Sequence, residues 1–147
     1  MKKLSIKSSA FENNKLIPAK YTCDGDNVNP PLTIEDIPEE TKSIVLIIDD
    51  PDATMGTWNH WLVWNIPPAT RKIEENTVPG TEGINTYRKH AYGGPCPPYG
   101  THRYFFKVFA LDTKLDLNPN SAKKDVERAM KNHILAEGEL IGLYRRS

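Results

Sequence analysis

The amino-acid sequence predicts a mainly β domain with one or two peripheral helices. Several runs have the length and composition of β-strands, whereas only one segment has a sustained helical period. The 12 prolines and 9 glycines among 147 residues are typical of a chain with many turns. This length favours a single domain over residues 1–147.

The first part of the chain is predicted to hold short strands and one buried strand. Residues 4–6 alternate in polarity, and residues 17–21 are predicted as an edge strand, where proline is tolerated. Residues 43–49 are apolar and rich in β-branched side chains, which is typical of a buried strand. The Asp50-Pro51 step ends this strand because proline cannot continue a hydrogen-bond ladder.

Two further strands are predicted on either side of a long irregular stretch. Residues 60–66 alternate, which places His60, Leu62, Trp64 and Ile66 on one predicted face. Residues 71–100 are rich in glycine and proline, and an irregular stretch of this length is usually either functional or an incorrect assignment that hides regular elements. Residues 102–111 are aromatic or β-branched almost throughout, which predicts the strongest strand of the chain.

One helix is predicted near the C-terminus. Ser121 is a suitable N-cap, and one helical face then carries Val126, Ala129, Met130, His133 and Ile134. Gly138 is predicted to follow the end of this helix, and residues 140–144 to form a short final strand.

Charge and hydropathy argue against several broad classes of protein. The 19 basic and 19 acidic residues give a net charge of zero, which argues against nucleic acid or an anionic membrane surface as a partner. The longest apolar run, residues 44–48, is too short to cross a bilayer. The N-terminus has no apolar run of the signal-peptide kind, so we expect a cytoplasmic protein. In that compartment Cys23 and Cys96, which can form at most one disulfide, are expected to be reduced thiols.

Residues able to carry chemistry are concentrated in two stretches. Asp49-Asp50-Pro51-Asp52 places three carboxylates at a strand end, and residues 93–106 form a proline-rich loop that leads into a strand. In that strand His102 and Tyr104 point to one face and Arg103 to the other. We therefore expect a cavity in front of His102 and Tyr104. Arg103 is expected to be buried behind them and paired with a carboxylate, because its charge cannot be shed.

These two stretches resemble the signature regions of the phosphatidylethanolamine-binding protein family, also called Raf kinase inhibitor protein-like. The matching segments are Asp50-Pro51-Asp52-Ala53 and Gly94-Pro95-Cys96-Pro97-Pro98 with Gly100-Thr101-His102-Arg103-Tyr104. The resemblance extends over nearly the whole chain through Tyr21-Thr22-Cys23-Asp24-Gly25, Asn29-Pro30-Pro31-Leu32 and Leu140-Ile141-Gly142. The chain is most similar to the short bacterial and archaeal branch, because it stops after Tyr144-Arg145-Arg146 without a further helix.

The resemblance implies antiparallel β-sheets packed together and a small surface pocket for phosphate, phosphorylethanolamine or a similar anion. The pocket residues that it implies are Asp50, Trp58, His60, Pro97, Pro98, His102 and Tyr104. Asp52 and Arg103 match the family's buried ion pair. Thr54 stands where the signature usually has proline, so we expect a looser or more polar rim there.

The residue types in this predicted pocket suit an anionic ligand. Two imidazoles and a phenol offer hydrogen-bond donors to phosphoryl oxygens. A neighbouring carboxylate such as Asp50 is expected to raise the histidine pKa values, which favours the doubly donating imidazolium. Anion affinity is then predicted to fall as the pH rises past the histidine pKa, about 6.5 in reference peptides. Because Asp50 repels a dianion, a zwitterion with an ammonium group is also suitable.

We therefore predict a non-catalytic binding or regulatory module for a small anion, with no metal or organic cofactor. The family resemblance also suggests inhibition of a kinase or a serine protease through the pocket rim. A homodimer is expected as well, because the absence of a further helix uncovers apolar surface.

Two catalytic alternatives are disfavoured. A phosphate-ester hydrolase would use Asp50, His60 and His102 as acid–base groups, but the sequence offers no evident nucleophile. Cys96 is a poor candidate because the stiff Pro97-Pro98 step does not bring it to His102. A zinc site on the same two histidines and Asp50 has acceptable ligand types, but nothing local enforces a tetrahedral geometry.

Overall fold

The computed structural model describes residues 2–146 and arranges them in two β-sheets with one α-helix. The strands are β1 Lys2–Lys3, β2 Ser5–Lys7, β3 Lys15–Leu16, β4 Leu32–Glu35, β5 Ser43–Asp50, β6 Trp58–Ile66, β7 Lys72–Ile73, β8 Thr81–Glu82, β9 His102–Leu111 and β10 Ile134–Tyr144. A 3₁₀ turn, Ala19–Tyr21, follows β3, and helix α1, Lys123–Met130, precedes β10.

The large sheet has the strand order β1-β10-β9-β5-β6-β8, and β3 also pairs with β10. Its central pairs are antiparallel, whereas the short strands β1 and β3 run parallel to β10. The small sheet, β2-β4-β7, is antiparallel. The prediction of a mainly β fold with packed sheets and a peripheral helix is confirmed.

Two apolar clusters lie on opposite faces of the large sheet. The first fills the space between the sheets, where Ile34 of β4 meets Leu46 of β5 and Phe106 of β9. The second lies beneath α1, where Val126 packs with Trp64 of β6. Because both faces of β5 are covered, all eight of its residues are buried.

A β-bulge in β6 turns His60 toward the first cluster. Ile48 pairs with Trp61 and Asp49 with Asn59, so one step along β5 spans two steps along β6 and His60 is the extra residue. A bulge puts two successive side chains on the same side of a sheet. His60 therefore shares a face with Trp61, on the side of the sheet that faces the small sheet.

A second bulge follows at Asn65, which has a φ of 55°. It returns Ile66 to the first cluster, whereas Leu62 and Trp64 lie in the second. The predicted common face for His60, Leu62, Trp64 and Ile66 is therefore wrong. Strict alternation assumes an uninterrupted ladder, and β6 has two interruptions.

Three further predictions were wrong at element ends. Residues 17–21 form no strand, because the chain turns into the 3₁₀ turn Ala19–Tyr21, where the Tyr21 N–H bonds back to the Pro18 carbonyl. Helix α1 ends at Met130, so His133 and Ile134 lie beyond it. Gly138 lies inside the eleven-residue strand β10, where a side chain would collide with the Leu4 carbonyl oxygen. The glycine thus permits the close approach of the N-terminal segment.

Candidate functional site

A cavity of about 330 Å³ opens where β5 ends and where β6 and β9 begin. Because these strands are antiparallel neighbours, the three strand ends lie at one edge of the sheet. The cavity brings together all seven residues that the resemblance implied: Asp50, Trp58, His60, Pro97, Pro98, His102 and Tyr104. Five more complete its lining: Ala53, Thr54, Met55, Tyr87 and Cys96.

Tyr87 was not predicted, because it lies in the irregular stretch where side-chain direction follows no period. In the structure its ring packs edge-on against both Trp58 and His60, with ring centroids 5.3 and 5.5 Å apart. Its hydroxyl donates to the Gly94 carbonyl at 3.2 Å. Tyr87 therefore joins the proline-rich loop to the β6 side of the cavity.

Asp50 and His102 form a buried pair in the cavity wall. The His102 Nδ1 atom lies 2.7 Å from Asp50 Oδ2, and Asp50 Oδ1 accepts the Asp52 N–H at 2.8 Å. Asp50 therefore both caps the turn after β5 and orients the imidazole. With Nδ1 facing the carboxylate, Nε2 is the ring nitrogen left without a hydrogen-bond partner among residues 2–146.

His60 is held by a backbone carbonyl. Its Nδ1 atom lies 2.7 Å from the Gly93 oxygen, which only accepts, so Nδ1 carries the proton. Burial lowers the pKa of His60 below its ordinary value of 6.5, although the Gly93 carbonyl and Asp50 act in the opposite direction. The prediction that Asp50 raises the histidine pKa values is wrong for His60, because desolvation outweighs the carboxylate. Neutral His60 offers an Nε2 lone pair.

Two buried donors are unpaired in this cavity. Within residues 2–146, Trp58 Nε1 and the Tyr104 hydroxyl make no hydrogen bond. Trp58 Nε1 lies beside Tyr87, and Tyr104 beside Asp50, without hydrogen-bond geometry. Burial raises the pKa of Tyr104 well above its usual range, and the Asp50 charge adds to the effect, so the hydroxyl keeps its proton. Unpaired buried donors are rare in folded proteins and each needs an explanation.

The bulge at His60 is clamped from the opposite face of the sheet by Asn59. The Asn59 side-chain amide donates to the Ile48 and Trp61 carbonyls and to Asp49 Oδ1, at 3.1–3.2 Å. Asp49 is fully buried, and its Oδ2 atom accepts a hydrogen bond from the Lys123 ammonium group of α1 at 2.6 Å. A chain of polar contacts thus runs from the helix through the sheet to the bulge that carries His60.

The same bulge is held from the side by the loop after β8. The Asn85 amide donates to the His60 carbonyl at 3.1 Å, and the Gly93 N–H donates to it at 3.0 Å. These bonds replace the ladder partner that β6 lacks at this edge. The roles of Asn59 and Asn85 were not predicted, because the alternation of polar and apolar residues carries no information about such contacts with the backbone.

Asp52 and Arg103 form the ion pair that the resemblance implied, with Nε and Nη2 donating to the two carboxylate oxygens at 2.9 and 2.8 Å. The pair holds the pKa of Asp52 below its usual range. The predicted burial of Arg103 is wrong, since its side chain is 53% exposed. Its side chain lies on the face of β9 opposite to that of His102 and Tyr104.

Cys23 and Cys96 are joined by a disulfide, with Cα atoms 5.4 Å apart. The expectation of reduced thiols is therefore wrong, and the bond leaves Cys96 without a nucleophilic thiol. The two cysteines are 73 residues apart in sequence, and the tertiary fold brings them together.

Within residues 2–146, no group of three or more His, Cys, Asp or Glu side chains is arranged to hold a metal ion. Asp50, His60 and His102 share the cavity but form no such group. Over the same residues, no helix has the length and apolar character needed to span a bilayer.

The model of the phosphatidylethanolamine-binding protein family matches residues 7–145. The chain belongs to this family. It is 49% identical to a UPF0098 protein of Methanothermobacter thermautotrophicus, with 97% of this chain and 99% of the relative covered. It is also 49% identical to UPF0098 protein PH1269 of Pyrococcus horikoshii, with 98% of this chain and 78% of the relative covered.

Two crystal structures share the fold over almost their full length. The family homologue CT736 of Chlamydia trachomatis has a TM-score of 0.96 and 37% identity, with 100% of both chains covered. YbcL of E. coli, a member of the mammalian PEBP family, has a TM-score of 0.89 and 30% identity, with 99% of both chains covered. The resemblance read from the sequence motifs is therefore confirmed at the level of the family.

Proposed function

We propose that the protein is a non-catalytic module that binds a small phosphate-like anion, or a phosphorylated head group, in the cavity of His60 and His102. The observation that carries the proposal is the pair of buried, unpaired donors, Trp58 Nε1 and the Tyr104 hydroxyl. A bound oxyanion would accept from both and remove the free-energy cost of leaving them unpaired.

The protonation states favour a phosphate group that keeps one proton. Neutral His60 presents a lone pair on Nε2, which accepts a phosphate O–H, whereas the other phosphate oxygens accept from Tyr104 and Trp58. The apolar side chains of Ala53, Met55, Pro97 and Pro98 and the ring of Tyr87 supply much of the remaining lining. This apolar wall leaves room for an organic group attached to the phosphate.

Calorimetric titration with inorganic phosphate and with phosphorylethanolamine tests the proposal. We expect saturable binding, and an affinity at least about tenfold lower in His102→Ala, since a lost hydrogen bond to a charged group corresponds to about 1.5–3 kcal/mol. His133→Ala is the matched control, because His133 is half-exposed and bonds Asp112 outside the cavity. Absence of binding to either ligand overturns the proposal. Turnover of an aryl phosphate that disappears in His102→Ala would favour a hydrolase instead.

A second candidate function is inhibition of a serine protease or a kinase through the rim of the cavity. Met55, in the cavity lining, is 93% exposed, and Tyr99, next to Pro98, is 72% exposed. Large apolar side chains presented to solvent favour contact with another protein. Inhibition that survives His102→Ala but is lost when Met55 and Tyr99 are both changed to serine would support this role. Equal loss in both variants would contradict it.

We also propose a homodimer and a cytoplasmic location. Leu16, on the edge strand β3, is 63% exposed, which favours contact between copies through this edge. Light scattering at increasing protein concentration tests the oligomeric state, and a monomer mass throughout would contradict the homodimer.

Cell fractionation tests the cytoplasmic location. Recovery outside the cytoplasm would contradict the proposed location, and the disulfide favours that outcome because disulfides are uncommon in a reducing cytoplasm.

A further inference from the structure

The disulfide joins a surface loop to the wall of the ligand cavity. Cys96 lies in the cavity lining, between Pro95 and Pro97. Cys23 lies in the loop after the 3₁₀ turn, and its N–H donates to the Pro95 carbonyl at 3.1 Å. Cys23 is exposed and Cys96 is half-buried, so a reagent in solution reaches the Cys23 side of the bond first.

Few other interactions hold this part of the wall. Residues 96–101 make no hydrogen bond to any residue within the range 2–146, and the β9 ladder begins only at His102. Pro97 and Pro98 have no N–H to donate. The segment just before is better anchored, since Gly94 donates to Asn27 Oδ1 at 2.8 Å and Gly93 bonds His60. The disulfide is therefore the principal tie on the proline wall.

We propose that the Cys23–Cys96 disulfide is a thiol–disulfide exchange site, at which a dithiol reductant lowers the affinity of the cavity for its anion. This inference rests on the proposed function, because affinity is its readout. With the bond closed, Pro97 and Pro98 stay in the lining of the cavity. With the bond open, the wall loses its covalent tie and samples positions that no longer complete the cavity.

The dithiol reductant supplies the electrons and protons that opening the disulfide requires. A thiolate of the dithiol attacks Cys23 Sγ and forms a mixed disulfide, and Cys96 leaves as a thiolate that takes up a proton. The second thiol of the reductant then displaces Cys23, which also becomes a thiol. The chain gains two electrons and two protons, and the reductant becomes a disulfide. Oxidation by a disulfide-bearing partner reverses both steps.

The size of the effect follows from the fraction of molecules with the wall in place. Apparent affinity falls in proportion to the population of the binding-competent state. If the untied wall occupies its closed position about one tenth of the time, the dissociation constant rises about tenfold. Trp58, His60, His102 and Tyr104 belong to strands of the large sheet and remain in place.

The test compares oxidised and dithiothreitol-reduced protein by calorimetric titration with inorganic phosphate. Alkylation and mass measurement count the free thiols, and amide hydrogen exchange follows the peptide that covers residues 20–28, in which the Cys23 N–H bonds the Pro95 carbonyl. We expect about tenfold weaker phosphate binding and faster exchange in this peptide after reduction. Cys23→Ser should match the reduced protein and be insensitive to dithiothreitol. Unchanged exchange in the β9 peptide shows that the reduced protein is still folded.

Each result distinguishes the two proposals. Equal phosphate affinity in both forms, with two thiols counted after reduction, overturns the redox control and leaves the anion site intact. Absence of phosphate binding to the oxidised protein overturns the anion site, and with it the control of affinity. Weaker binding only in the reduced protein and in Cys23→Ser supports both.

Discussion

The Tyr104 hydroxyl is buried, keeps its proton and makes no hydrogen bond within the described part of the chain. A donor held in this way costs stability in the free protein and contributes affinity when a ligand accepts from it. Stability and binding are therefore opposed at this residue.

We predict that Tyr104→Phe weakens phosphate binding about tenfold, while the free energy of unfolding stays the same or rises by up to about 1 kcal/mol. Titration and urea denaturation measure the two effects. The matched control is Tyr144→Phe, because the Tyr144 hydroxyl donates to Asp24 Oδ2 at 2.6 Å. That change is expected to lower stability by about 1–2 kcal/mol and leave binding unchanged. A loss of stability in Tyr104→Phe equal to that of the control would contradict the prediction.

His60 provides a pH-dependent contribution to stability whose sign follows from its lowered pKa. Above pH 6.5 the ring is neutral in both the folded and the unfolded chain. As the pH falls below that value, the unfolded chain binds a proton while buried His60 does not, so the free energy of unfolding decreases. The decrease continues until the pH reaches the lower pKa of the folded state.

We predict that replacing His60 by glutamine removes part of this slope between pH 7 and pH 5. One titrating histidine contributes at most about 1.4 kcal/mol per pH unit. Urea denaturation of wild type and His60→Gln at each pH gives the difference, in which the other titrating groups cancel. Parallel curves for the two proteins would show that His60 is not held neutral by burial.

At the scale of elements, strand β6 shows how two bulges shape the site. The first turns His60 into the cavity, and the second keeps Ile66 in the core beyond it. Each bulge is held by an asparagine. Asn59 bonds three acceptors around the first, whereas Asn65 exchanges two hydrogen bonds with the Leu115 backbone at the second.

We predict that Asn59→Ala lowers the free energy of unfolding by about 2–3 kcal/mol, because it leaves the buried Asp49 carboxylate and two carbonyls short of a donor. It also weakens phosphate binding, since the His60 bulge loses its clamp. Asn65→Gly, which tolerates the positive φ, is expected to lower stability without changing affinity. If both variants bind phosphate as the wild type does, Asn59 stabilises the sheet but does not position His60.

At the scale of the whole molecule, the disulfide closes a long loop. Its cysteines are 73 residues apart, and the enclosed segment includes β4 through β8. Cross-linking such a loop restricts the unfolded chain, which stabilises the folded state by about 2–4 kcal/mol. This contribution to stability is separate from the control of the cavity.

We predict that dithiothreitol lowers the free energy of unfolding by about 2–4 kcal/mol in the wild type. Guanidinium denaturation with and without reductant measures it. The double variant Cys23→Ser with Cys96→Ser should resemble the reduced protein and show no response to reductant. A change smaller than about 1 kcal/mol, with complete reduction verified by alkylation, would contradict the prediction.

Local composition and local motifs predicted a large part of this protein. The bounds of β9 and the common face of His102 and Tyr104 were predicted correctly, because β-branched and aromatic side chains mark a strand and successive side chains of a strand alternate between its faces. The sequence motifs around Asp50 and His102 identified the family, and seven predicted residues do line one cavity. These features depend on residues close together in the chain.

Only the tertiary structure decided the features that depend on distant contacts. The face of His60 depends on a bulge whose clamp spans β5, β6 and α1, and its pKa depends on burial that no local sequence reports. Arg103 is exposed although it is paired with Asp52, and Cys23 meets Cys96 because the fold returns the chain to the same place. Sequence alone therefore determined strands and motifs, through local propensity. The directions of the side chains, their burial and their bonding partners were decided by packing between elements that are far apart along the chain.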